Sequence, residues 1–126
     1  MGNMTGLSPQ QQAAARSRLA AEREQTTTRL AALQRDLDSI IASTASAAGA
    51  DDEHDPEGSS TAFDRQHVAA LLANAREQLA AIAGAERRLE DGSYGRCERC
   101  GREIGAGRLA ARPAAVTCVT CAATRR

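Results

Sequence analysis

Hydrophobic and polar positions along the chain fall into two helical runs separated by a break. In the first, Leu19, Arg23, Thr26, Leu30, Leu33, Leu37 and Ile40 follow one another at spacings of 4-3-4-3-4-3. That is a heptad seam with its polar members near the start. Ser8-Pro9-Gln10-Gln11 reads as the helix start. Ser8 can cap, Pro9 suits the first helical position, and Gln11 can close a capping box. Neither Gly nor a further Pro interrupts the chain from there to about Ser46. A helix of about 38 residues would be about 57 Å long. The second run, from about Ala62 to Glu90, carries Arg65, Val68, Leu72, Ala75, Leu79, Ile82, Glu86 and Leu89 at spacings of 3-4-3-4-3-4-3. Asp91-Gly92 ends it. Residues 47–61, AAGADDEHDPEGSST, hold Gly49, Pro56 and Gly58 and predict a turn or loop, with Ser59, Ser60 or Thr61 capping the helix that follows.

Two heptad helices joined by a short loop bury their seams against each other or against a second chain. The preferred arrangement is an antiparallel coiled-coil hairpin within one chain, a monomer, with the loop at its tip. A dimeric bundle is the alternative. The fold class expected is therefore mainly α.

Composition narrows this. Ala supplies 28 of the 126 residues and aromatics 2%, Phe63 and Tyr94. A chain so poor in large side chains cannot fill a wide core. It also lacks the rings on which an RNA-recognition surface stacks bases. The formal net charge is zero, but its distribution is uneven. Residues 51–64 carry six acids and no base, and residues 87–126 carry nine Arg against four acids. No basic start followed by an apolar run suggests export, and no apolar stretch approaches the ~20 residues of a membrane span. A cytoplasmic protein without membrane contact is expected.

The chemistry lies in the last third. Cys97-x2-Cys100 and Cys118-x2-Cys121 are separated by 17 residues. This spacing predicts one tetrahedral Zn²⁺ held by four thiolates, a structural site with no open position. Gly101 permits the tight turn after Cys100. Disulfides would need an oxidising compartment, and a redox motif needs one pair only. Sulfur-ligated iron is the residual alternative. The layout expected is a flexible N-terminus over 1–8, a hairpin over 9–91 with an acidic tip loop at 47–61, and a C4 zinc-finger domain over 92–126 ending in a short tail.

Gly92-Ser93-Tyr94-Gly95-Arg96-Cys97-Glu98-Arg99-Cys100-Gly101-Arg102-Glu103-Ile104 is followed by Arg108-Leu109-Ala110-Ala111-Arg112-Pro113 and then Cys118-x2-Cys121. This resembles the DksA/TraR family of bacterial transcription factors, whose signature reads G-x-Y/F-G-x-C-x-x-C-G-x-x-I, then R-L-x-A-x-P, then C-x-x-C. The resemblance covers residues 90–121. It implies a protein that binds RNA polymerase rather than specific DNA. The zinc domain would sit at the rim of the secondary channel, and the coiled coil would carry acidic tip residues toward the active-site Mg²⁺. The tip residues implied are Asp51, Asp52, Glu53, Asp55 and Glu57. The family's tip reads D-x-x-D-x-A. Asp52 and Asp55 match its acids, and Glu57 stands where Ala is expected, which alters the effect on initiation. The chain stops five residues after Cys121. The family's C-terminal helix is thus missing, and dependence on ppGpp is not expected.

An acidic loop is also an ordinary solvated loop, and no EF-hand spacing is present. Arg96, Arg99, Arg102, Arg108 and Arg112 form a basic face of the zinc domain. They are candidate contacts with a partner's carboxylates or with phosphate, or they serve solubility. Tyr94, Ile104 and Leu109 are expected to pack, and His54 and His67 to lie at the surface. Two other readings remain at this stage. One is a zinc-ribbon adaptor whose coiled coil pairs with another protein. The other is a zinc-dependent nucleic-acid module. An enzyme is not expected, because the thiols are committed to metal and no Ser/His/Asp or Cys/His constellation stands beside them.

Overall fold

The computed structural model describes residues 7–48 and 56–124, with the side chains of 7–45 and 61–124. Four helices follow in order: α1 Pro9–Ala48, α2 Pro56–Asp91, α3 Ala106–Ala111 and α4 Val119–Ala123. The β-structure among the described residues is one antiparallel bridge, Arg96 with Glu103. Among these residues no helix is long and apolar enough to cross a membrane.

The first helix starts as its sequence predicts. The Ser8 backbone N–H donates to Gln11 Oε1 at 2.8 Å, and the Gln11 N–H donates to Ser8 Oγ at 3.0 Å. This reciprocal pair is the capping box, with Pro9 at the first helical position where its missing N–H costs nothing. The second helix begins six residues before the Ala62 expected from the cap positions. Pro56 takes its first position, so Gly58, Ser59 and Ser60 lie inside the first turns. A Pro at a helix start is pre-set at helical φ, whereas one interior Gly costs only about 1 kcal/mol. At its other end α2 closes on Gly92, whose φ is +85°. The Ser93 and Tyr94 N–H groups both donate to the Arg88 carbonyl, at 3.0 and 3.1 Å. This is a Schellman-type ending, and it turns the chain into the cysteine segment.

The chain divides into two compact units, one of Met1–Glu24 with Leu79–Arg126 and one of Gln25–Gln78. The first has a continuous core of Leu7, Leu19, Ile82, Ala85, Leu89, Tyr94, Cys97, Ile104 and Leu109. Residues from both long helices and from the cysteine segment therefore share one apolar cluster. Each Leu or Ile so buried contributes about 1.5–3 kcal/mol. Leu7, which the sequence reading places in a flexible N-terminus, is buried in this core. An Arg23–Glu86 ion pair crosses between α1 and α2 at two seam positions. Its members are half-exposed, so it adds register more than stability.

The second unit is an antiparallel helix pair. Arg29 Nη2 donates to Gln78 Oε1 at 2.9 Å and Arg76 Nη2 to Gln34 Oε1 at 3.1 Å, so positions rise on one helix as they fall on the other. Thr26, Leu72 and Ala75 are buried. Leu30, Leu33, Leu37, Ile40 and Val68 are half-buried, as befits two helices with no third layer. The seam residues predicted from heptad spacing are buried or half-buried except Arg23 and Arg65, whose charged heads stay in water, and the mainly α class with an antiparallel helical hairpin holds.

Candidate metal centre

The four cysteines converge. Their sulfurs all lie within 4.8 Å of one another, with Cys97 buried, Cys118 and Cys121 half-buried and Cys100 exposed. Backbone geometry aims them. In the first knuckle, Cys97 N–H donates to the Arg102 carbonyl at 2.8 Å and Ile104 N–H to the Gly95 carbonyl at 2.7 Å, forming a tight hairpin. Gly101 N–H closes the turn on the Cys97 carbonyl at 2.9 Å, and its φ of +78° favours glycine there. In the second knuckle Cys118 is the N-cap of α4, and its sulfur accepts the Cys121 N–H at 3.4 Å. The Arg99 N–H reaches Cys97 Sγ and the Arg102 N–H reaches Cys100 Sγ, each at 3.4 Å. The Glu98 N–H donates to the Val116 carbonyl at 2.9 Å and joins the two knuckles.

These donors shape the thiols. Burial pushes Cys97 up, but the N–H groups of Cys100, Cys118 and Arg99 outweigh it and bring the thiol down to about 6. The Cys121 N–H lowers Cys118. Cys121 is pushed up to about 12, by burial first and then by hydrogen bonds with the neighbouring thiols. Four crowded thiols without a cation cannot all ionise; a bound metal supplies the compensating charge and deprotonates its ligands outright. The spacing fits zinc. A Zn–S bond of about 2.3 Å in a tetrahedron requires sulfurs about 3.8 Å apart, and Cys100 Sγ and Cys118 Sγ lie 3.8 Å apart. A disulfide needs about 2.05 Å, and all four cysteines are free thiols. The centre is a C4 site for one structural zinc ion, with four protein ligands and no open position.

The surroundings hold the knuckles in place. Tyr94 is buried, and its hydroxyl donates to the Pro113 carbonyl at 2.8 Å, pinning the segment between the cysteine pairs. Burial raises the Tyr94 hydroxyl above its ordinary value and keeps it the neutral donor. Leu109 of α3 and Ile104 enter the core as packing residues, as expected. Arg108, a candidate partner contact, turns inward: its Nε donates to the Thr117 carbonyl at 2.8 Å, immediately before Cys118. Arg18 of α1 donates to the Ala110 carbonyl at the end of α3. Neither positioning role is legible in the sequence, because both depend on contacts between distant segments. Arg96, Arg99, Arg102 and Arg112 are exposed, and so is His67. The tip candidates Asp51, Asp52, Glu53 and Asp55, with His54, lie outside the described residues, as does the side chain of Glu57.

Residues 92–125 match the family model of the prokaryotic DksA/TraR C4-type zinc finger. Over 44 residues the chain is 52% identical to the RNA polymerase-binding transcription factor DksA of Caulobacter vibrioides, in strain NA1000 / CB15N and in strain ATCC 19089 / CIP 103742 / CB 15. That match takes in 35% of this chain and spans about a third of the length of those relatives, 31%. Among solved structures, the fold is similar to transcription factor DksA2 from Pseudomonas aeruginosa. The TM-score is 0.76 at 24% identity, over 98% of this chain and 88% of the other.

Proposed function

We propose that this chain, a member of the DksA/TraR family through its zinc finger at residues 92–125, is a transcription regulator that binds RNA polymerase and inserts its coiled coil into the secondary channel. One observation carries the reading. The chain is 52% identical over 44 residues to a factor named for binding RNA polymerase, and the segment that matches the zinc-finger family model, residues 92–125, shares a core with the bases of both long helices. The finger then holds the hairpin at the channel rim. The segment between α1 and α2, with Asp51, Asp52, Glu53 and Asp55, together with Glu57 in the first turn of α2, carries concentrated negative charge toward cationic groups of the polymerase active centre. The protein acts as a monomer in the cytoplasm, without catalysis, sequence-specific DNA binding, membrane contact or a requirement for ppGpp.

The test is binding of the zinc-loaded chain to core RNA polymerase from the same organism, in competition with a known secondary-channel factor. Binding with displacement of that factor is expected. A variant with Asp52→Asn and Asp55→Asn should still bind but lose its effect on initiation in a promoter assay. Absence of binding at micromolar concentration and moderate salt would overturn the reading and leave an adaptor for another protein as its successor.

A further inference from the structure

The first knuckle presents more positive charge than the metal centre uses. Arg96, Arg99 and Arg102 stand at intervals of three on the hairpin Gly95–Ile104, and all are exposed. The ion pairs among the described residues are Arg18–Glu22, Arg23–Glu86 and Arg88–Glu98, so these three guanidinium groups have no carboxylate partner there. Arg99 Nη1 reaches the Cys121 carbonyl at 3.5 Å, which lays its side chain across α4. On α4, Val119 is 61% exposed, the one large apolar side chain of its unit so presented among the described residues.

We propose that Arg96, Arg99, Arg102 and Val119 form a docking face for an acidic protein surface with an apolar centre. Resting on the function proposed above, that surface belongs to RNA polymerase. Two arguments select a protein over nucleic acid. First, a zinc ion with four thiolates carries a formal charge of minus two, and Glu103 stands beside Arg96 across the bridge. These charges weaken the field that a continuous polyanion would feel, since non-specific binding to nucleic acid is built on net positive potential. What survives is short-range and directional: planar guanidinium forks, each able to take one carboxylate in two parallel hydrogen bonds. Second, Val119, exposed on the helix that Arg99 lies across, offers nothing to a phosphate backbone but suits the apolar centre of a protein interface. The knuckle is also pre-ordered. The N–H groups of Arg99 and Arg102 donate to the ligand sulfurs, so the backbone that presents the arginines is fixed by the metal, and docking orders side chains only.

The test compares the zinc-loaded wild type with an Arg96→Gln, Arg99→Gln, Arg102→Gln variant and with Val119→Ser. Each is titrated against core RNA polymerase and against a 20-base-pair DNA duplex, with zinc content and far-UV circular dichroism as checks on folding. The triple variant is expected to bind polymerase on the order of tenfold more weakly, or worse, as for other truncated interfacial charges. Val119→Ser should weaken it by a smaller factor, and DNA binding should be negligible throughout. If the triple variant loses its zinc, the triple Arg→Lys variant takes its place; it keeps the charge and loses the fork, so weakened binding is again expected. Wild type and variant binding polymerase within twofold of each other would overturn the face alone. Wild type failing to bind polymerase would overturn the proposed function and this partner together. Arginine-dependent binding to the duplex as tight as that to polymerase would overturn the choice of protein over phosphate.

Discussion

Cys97 belongs at once to the metal site and to the apolar core. Its sulfur is one of four converging ligands, and its side chain is 1% exposed among Leu19, Ile82, Leu89 and Tyr94. Burial alone would hold the thiol protonated, and the N–H groups aimed at it reverse that, to about 6. The sign of the resulting pH dependence follows. A depressed thiol favours the metal-binding thiolate above its folded value and loses it as pH falls through that value. Zinc competes with protons for the same sulfurs, so affinity falls on acidification. Zinc affinity is therefore expected to fall progressively on acidification, read with a chromogenic chelator across a pH series; full retention of zinc at pH 4 would contradict it. At this scale the cysteine spacing made all four ligands legible, because two-residue knuckles have few geometries. Arg108 was not, since nothing in its own neighbourhood announces that its Nε will hold the Thr117 carbonyl.

Helix periodicity was the strongest signal at the level of elements, and helix boundaries the weakest. Leu19, Thr26, Leu72, Ala75, Ile82 and Leu89 were placed on the seams by spacing and are buried. Thr26 is polar and still inward, so spacing outweighs residue type there. Three hydroxyl residues resemble caps, but Pro56 is the stronger start, so α2 begins ahead of the position that they predict. Leu7 is not legible for a different reason: one apolar residue ahead of a cap has no period, and only its place in the cluster reveals it. The end of α2 was read correctly, and two glycines in and beyond this helix make a paired prediction. Gly92 has φ +85° and open space around a would-be Cβ. Gly92→Ala therefore strains the backbone without a clash and should destabilise by about 1–2 kcal/mol. Gly84 lies inside α2, where an added Cβ meets only Arg87 Nη2 at 3.8 Å, an ordinary contact. Gly84→Ala should stabilise by about 0.5–1 kcal/mol. Urea denaturation of the two zinc-loaded variants should move the midpoint in opposite directions, and a shift of the same sign in both would refute the assignment of Gly92 as the left-handed cap.

For the molecule as a whole, the consequential feature is that the finger does not have a core of its own. Tyr94, Cys97, Ile104 and Leu109 come from the cysteine segment, whereas Leu7, Leu19, Ile82, Ala85 and Leu89 come from the start of the chain and the two long helices. The sequence suggested a separate zinc domain joined to a hairpin, because motif and heptads occupy different stretches. Only contacts between distant residues show that they share one cluster. Arg18 adds a polar tie from α1 to the Ala110 carbonyl. Free energy released on metal binding, which in small zinc modules reaches about 10–16 kcal/mol, is therefore shared with the helix bases rather than confined to the knuckles. Removing zinc with a strong chelator should unfold the cysteine segment and also loosen residues 7–24 and 79–91. Two readouts follow: a loss of far-UV helical signal larger than the eleven residues of α3 and α4 can supply, and faster amide exchange at Leu19, Ile82 and Leu89. A finger that melted alone would leave those three amides as protected as in the loaded protein. Adding zinc back should restore them together with the knuckles, since both draw on the same core.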